Sequence, residues 1–316
     1  MKVVILCLGV LLSVGACKKT GGGPGGGGGG GGGWLVGTSG LMVNVHTSGD
    51  ASGYNTASTE TLNGIACRYS GEAWVVGTHG TLLYTDDAGV SWRPQTVPTT
   101  ADLRTLATQN YGPVFLAGDG VFLTSTDTGA HWTPLGDGTA SFRSLAAAQD
   151  AETVLAISEG GGLWSYENKQ LVQLGSFAGA RAVAVSPDGQ TAVLVGDHLI
   201  SKSSDGGRNW SPLSGAENLQ LDDVRIDADG QAVAVGAGGA LAHISVDGKV
   251  SVQRLGTADL HTIHISEIGE DTDAIGFAAG ERGTVWMTHD GGSTWSAGPR
   301  VAGTVFGVDQ IGDGHR

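Results

Sequence analysis
Four segments of this chain repeat one eight-residue pattern, and their spacing constrains the fold more than any other feature. Residues 85–92, 125–132, 203–210 and 288–295 all read Ser/Thr-x-Asp-x-Gly-x-x-Trp. The aspartates Asp87, Asp127, Asp205 and Asp290 are 40, 78 and 85 residues apart. The two later gaps are close to twice the first, so two copies have decayed. Ser165-Tyr166-Glu167 and Ser245-Val246-Asp247-Gly248 stand where those copies are due, and a fainter one is Val45-His46-Thr47-Ser48-Gly49. A fixed period of this length signals an array of one supersecondary unit.

Two further motifs precede each box. A short apolar run closed by glycine recurs as Trp34-Leu35-Val36-Gly37, Trp74-Val75-Val76-Gly77, Phe115-Leu116-Ala117-Gly118, Val193-Leu194-Val195-Gly196, Val233-Ala234-Val235-Gly236 and Phe277-Ala278-Ala279-Gly280, with residues 153–158 as the weakest member. Such runs read as buried strands. Ahead of them lie seven alternating segments that start near Leu62, Leu103, Phe142, Arg181, Leu221, Leu260 and Thr304. The last has no strands after it, and the strands from Trp34 onward have none before them. Together the two ends make one whole unit. The expected fold is therefore all-β: a seven-bladed β-propeller over residues 34–316, closed by pairing the C-terminal strand with the N-terminal strands. Each unit has about 40 residues, the length of a four-stranded blade.

The boxes resemble Asp-box (BNR) repeats, and the whole unit is similar to propellers of the photosystem II assembly/stability-factor type, a WD40/YVTN-like repeat. The resemblance implies that each box is a turn between the third and fourth strands of a blade. On that basis Asp87, Gly89 and Trp92, with Asp127, Gly129 and Trp132, Asp205, Gly207 and Trp210, and Asp290, Gly292 and Trp295, are structural. The Asp accepts backbone N–H groups, the Gly permits a positive φ, and the Trp packs between blades.

The opposite face is then built from the turns between second and third strands and from the starts of the first strands. Its candidate binding residues are Arg104, Arg143, Arg181, Asp222, His261, His79, Asp119, Asp197 and Arg282. Three consecutive blades carry arginine at one repeat position in a chain with eleven arginines. Arginine offers a planar fork for carboxylate or phosphate. The competing reading pairs each arginine with a neighbouring acid such as Asp119 or Glu159.

The N-terminus reads as an address and a tether. Lys2 precedes an apolar run over residues 3–14, too short to span a bilayer. It ends in Val14-Gly15-Ala16-Cys17, which resembles the bacterial lipobox. Residues 1–16 are expected to be a lipoprotein signal peptide, with Cys17 lipidated. An ordinary secretory signal cleaved near Ala16 is the alternative. Residues 17–33 hold twelve glycines between Gly21 and Gly33 and read as a flexible linker. Lys18 follows Cys17 where an inner-membrane-retaining Asp would stand, so the expected location is the bacterial cell envelope, lipid-anchored at the outer membrane.

Charge narrows the partners. The net charge is −14, and Lys2, Lys18 and Lys19 all precede position 34, so the body is more acidic still. A field of that sign argues against nucleic acid. Nine scattered histidines show no metal-ligand spacing, and the acidic stretch at residues 267–273 lacks EF-hand order. No catalytic residue, metal site or cofactor is expected. A sialidase-like enzyme, the alternative the resemblance implies, would need Tyr, Arg and acids converging in one pocket, and its Phe-Arg-Ile-Pro segment is absent. The expected function is a non-catalytic, membrane-anchored scaffold holding a protein partner, with a glycan-binding or glycoside-cleaving propeller as the second reading.

Overall fold
In the computed structural model, residues 32–56, 58–68, 71–149, 152–266, 274–301 and 303–310 are described. The segment read as a signal peptide, Cys17, most of the segment read as a linker and the acidic stretch at 267–273 lie outside them.

Seven four-stranded antiparallel sheets follow one another along the chain. Each is a blade whose strands we letter A to D from the first outward. Strands A of blades one to six are Leu62–Cys67, Leu103–Thr108, Phe142–Ala147, Ala180–Val185, Leu221–Ile226 and Leu260–Ile265. The seventh, Val305–Asp309, pairs with Gly32–Gly37, which continues to Leu41–His46 and Ala51–Asn55. The C-terminal strand thus supplies strand A of a blade whose other strands are N-terminal, and the ring is closed as expected. Gly32 and Gly33 pair with His46 and Val45, so the first sheet reaches two residues into the stretch read as linker.

The apolar runs form strands B, and these are buried throughout, as in Ala73–Gly77, Val114–Gly118 and Ala232–Gly236. Side chains from both faces of each sheet feed clusters shared with the neighbouring blade. Trp74, Val76 and Tyr84 of blade one meet Leu106, Leu116 and Leu123 of blade two. Strand B ends in glycine for a reason beyond turn formation. A Cβ on Gly236 would overlap the backbone carbonyl oxygen of Gln220, just where strand A of the same blade begins. Gly118, Gly196 and Gly280 meet Asp102, Gly179 and Asp259 in the same way.

The outer strand depends on the box. Where the box is intact, strand D has two residues, as in Arg93–Pro94, Thr133–Pro134, Ser211–Pro212 and Ser296–Ala297. Where it has decayed, strand D lengthens to Gln170–Ser176 or Val250–Arg254. In blade three the turn is Asn168 and Lys169, both at positive φ, the mark of a two-residue hairpin that matches strand twist.

Candidate functional site
The box turns lie on one face of the ring and are closed chemically. In every intact copy the Ser or Thr hydroxyl donates to the Asp and accepts from the Gly N–H four residues on. For blade four these are Ser203 Oγ to Asp205 Oδ1 at 2.8 Å and Gly207 N to Ser203 Oγ at 2.9 Å. Asn209 N reaches Oδ1 at 2.8 Å and Asn209 Nδ2 reaches Oδ2 at 2.6 Å. Ser91, His131 and Thr294 fill the Asn209 position for Asp87, Asp127 and Asp290. The backbone N–H of Asn209 leads in holding Asp205 down to about 2, and that of His131 does the same for Asp127. A carboxylate so satisfied is a poor proton acceptor. The box tryptophans are half-buried against the preceding blade: Trp92 packs edge-on to Trp34 at 5.6 Å, and Trp210 to Phe177 at 5.8 Å.

The opposite face surrounds the mouth of a central cavity of about 360 Å³. Here the seven strands A share a device. In each blade the A–B register slips at the second residue of strand A, as between Leu103 and Thr105 or Phe142 and Ser144. A bulge leaves one residue unpaired and re-aims its side chain. The seven bulged residues are Asn63, Arg104, Arg143, Arg181, Asp222, His261 and Phe306. The repeat position singled out in the sequence is therefore a ring. Its seventh member is Phe306, two residues beyond the Thr304 that marks the segment's start.

Ion pairs link the ring. Arg104 Nε is 2.5 Å from Asp119 Oδ1, and its Nη1 is 3.4 Å from Glu159. Arg143 reaches the other oxygen of Glu159 at 3.7 Å. Arg181 sits between Asp197 at 2.9 Å and Asp222 at 2.6 Å. Asp222 then receives His261 Nδ1 at 3.2 Å, and the His261 ring stacks on Phe306 with centroids 5.9 Å apart. Burial pushes the Asp222 carboxyl up, but His261 and Arg181 outweigh it and hold it below its usual range. Arg104, Arg143, Asp222 and His261 line the cavity mouth; Asp119 joins it through Arg104, and Arg181 stands behind the lining between Asp222 and Asp197. His79 and Arg282 stand outside the lining, exposed at turn tips with φ of 53° and 55°; His79 pairs with Glu60 at 2.6 Å and Arg282 with Glu281 at 3.8 Å.

Deeper in the channel, strands A carry Ala66, Ala107, Ala146 and Ala184 at one level in blades one to four, and Arg225, His264 and Asp309 in blades five to seven. Asp309 accepts the Cys67 N–H at 2.7 Å and lies 2.9 Å from His264 Nδ1. Arg225 donates to the Ile263 and Val308 carbonyls, each at 3.0 Å. Burial raises the Asp223 carboxyl nearby. The sequence reading missed this triad and Phe306. Aligning all seven strands A residue by residue would have shown both, because each departs from its column.

The described tyrosines do not join the arginines of the ring. Tyr84 donates to Glu72 at 2.9 Å, Tyr54 accepts the Trp92 N–H at 3.0 Å, and Tyr111 lies in a turn on the box face. Among the described residues no cluster of three His, Cys, Asp or Glu side chains is placed to hold a metal.

No family model matches the chain. It is 24% identical over 257 residues to the chloroplast photosystem II stability/assembly factor HCF136 of Arabidopsis thaliana, covering 77% of this chain and 57% of that one. Among solved structures it resembles YCF48 from Cyanidioschyzon merolae, with a TM-score of 0.60 and 17% identity over 78% of this chain and 87% of that one. A structure described as YCF48 bound to D1 peptide gives 0.58 and 22% identity, covering 75% and 82%.

The chain is a seven-bladed propeller similar to the photosystem II assembly factors.

A nidogen/laminin complex also contains a chain that matches it, with a TM-score of 0.57 at 8% identity over 70% of this chain and 92% of that one. Likeness at these identities establishes the shared architecture, on which unrelated activities are built.

Proposed function
We propose that the propeller is a non-catalytic binding module that holds a protein partner on the mouth face. The observation that carries this is the ring of seven bulged residues. It gathers three arginines, their acids, a histidine and a phenylalanine around one opening. Such a surface offers charged forks and an apolar contact, and among the described residues no tyrosine stands beside the acids of the ring to act as a nucleophile. One solved structure of the same fold is described as peptide-bound, which supports the reading.

The finer proposal is that the module is displayed in a bacterial cell envelope on a lipidated Cys17, with the glycine-rich segment as tether. What supports it is the sequence Val14-Gly15-Ala16-Cys17 after an apolar run. Metabolic labelling with an alkyne fatty acid should mark the wild type and not Cys17→Ala, and the variant should leave the membrane fraction.

Crosslinking in native membranes tests the binding role, comparing wild type with an Arg104/Arg143/Arg181→Ala variant of verified folding. A discrete partner captured by the wild type and lost by the variant supports the mouth face. Equal capture by both overturns it. Hydrolysis of a sialoside by the purified protein would favour the glycan reading.

A further inference from the structure
We infer that the mouth recognises a peptide pairing an aromatic or large aliphatic side chain with an adjacent carboxylate, the two pointing to opposite sides of the extended peptide so that the side chain seats on Phe306 of blade seven and the carboxylate is taken by Arg143 of blade three across the opening. This deepens the partner-binding reading of the same face.

Phe306 is an anomaly on two counts. It fills a ring position where the other six blades place Asn, Arg, Asp or His. It is also 39% exposed, and the other large exposed apolar residues lie elsewhere. Val90 and Val246 sit in turns on the box face, as does Tyr111, while Val172 and Val252 lie on outer strands D. Among the described residues, Phe306 is thus the one large apolar side chain offered at the mouth.

The phenylalanine is also held. Its ring stacks on His261 at an interplanar angle of 25°, His261 is pinned by Asp222, and Asp222 by Arg181. An apolar contact with little freedom left to lose, rimmed by polar groups, has the anatomy of a binding hot spot.

Charge complementarity supplies the second half of the motif. Arg104 and Arg181 each have a carboxylate within 2.9 Å. Among the described residues Arg143 pairs only with Glu159, at 3.7 Å and beyond hydrogen-bond reach, and Arg104 shares that acid. Arg143 is 31% exposed. A partner carboxylate making a bidentate contact would satisfy its fork where Glu159 does not. Glu159 is then a competitor for the ligand.

The test uses three labelled hexapeptides: Gly-Ser-Glu-Phe-Ser-Gly, its Glu-to-Gln form and its Phe-to-Ala form. Binding to the full chain is read by NMR titration and anisotropy. The first should bind at least tenfold more tightly than either control. Phe306→Ala should lose that preference for Phe, Phe306→Leu should keep most of it, and Arg143→Gln should lose the preference for Glu. Glu159→Gln should strengthen binding several-fold, a gain that misfolding cannot mimic. If Arg143→Gln weakens binding while Phe306→Ala, with unchanged thermal unfolding, does not, the apolar seat is wrong and the mouth reading stands. If neither variant nor Glu159→Gln moves the affinity, both are wrong.

Discussion

Each Asp box is a small closed circuit of side-chain and backbone hydrogen bonds. Thr288 shows its economy: the buried hydroxyl donates to Asp290 at 2.7 Å and accepts the buried Gly292 N–H at 2.9 Å. Thr288→Val keeps the shape and strands that N–H, so it should cost about 1–3 kcal/mol in denaturant unfolding. The boxes also set the acid limit. Asp127 and Asp205 lie at about 2 in the folded protein, below the ~3.9 of an unfolded aspartate. A depressed folded pKa gives stability that is present above the unfolded value and lost as pH falls through the folded one. Asp87 and Asp290 shift in the same direction, so Tm should drop between about pH 4 and pH 2. A flat Tm across that window would refute the assignment. Gly236→Ala should cost about 3 kcal/mol or more, because its Cβ would overlap the backbone of Gln220 and Leu221 even though the glycine's own backbone is extended.

At the scale of elements, the strand Val305–Asp309 carries the most. It is joined to its sheet by pairing alone, whereas the other six strands A continue directly into strand B. Side chains from blades five and six and a backbone N–H from blade one hold it. His264 of blade six faces Asp309, Asp309 accepts the Cys67 N–H of blade one, and Arg225 of blade five donates to Val308. Burial pushes Asp309 up, but His264, Arg225 and the Cys67 N–H together hold it below its usual range. Asp309→Ala would leave an imidazole and an N–H without their acceptor and should cost about 3–5 kcal/mol in denaturant unfolding. Asp309→Asn, which keeps an acceptor for Cys67, should cost less. Equal, small losses would show that the strand is held by its ladder alone.

Over the whole molecule, stability comes from interfaces between neighbouring blades, since every sheet shares an apolar cluster with the next. A closed ring leaves no blade with a bare face. Deleting residues 305–316 removes the innermost strand of blade seven and exposes Leu35, Val43, Val45 and Val285, which now bury against Val305 and Val308. That variant should lose its single cooperative unfolding transition, by calorimetry, or aggregate. A wild-type-like transition would mean that closure is dispensable.

The fold was open to reading because it repeats. A glycine after each apolar run, an Asp box at multiples of about 40 residues and two half-units at the ends are local patterns, and local patterns survive in one dimension. The arginine column was legible for the same reason. The bulge was not, because a slipped register is a relation between two strands and leaves no mark on either alone. Nor was the stacking of Phe306 on His261, whereas the pairing of the arginines with Asp119 and Glu159 was one of the sequence's two readings, and the polar triad beside four alanines is visible once the strands A are aligned. Sequence determined that seven similar units would form a ring and which residues would recur at its mouth. Only the tertiary structure decided which of those residues are satisfied by neighbours and which remain to meet a partner, because charge pairing and burial depend on distances across blades about 40 residues apart in the chain.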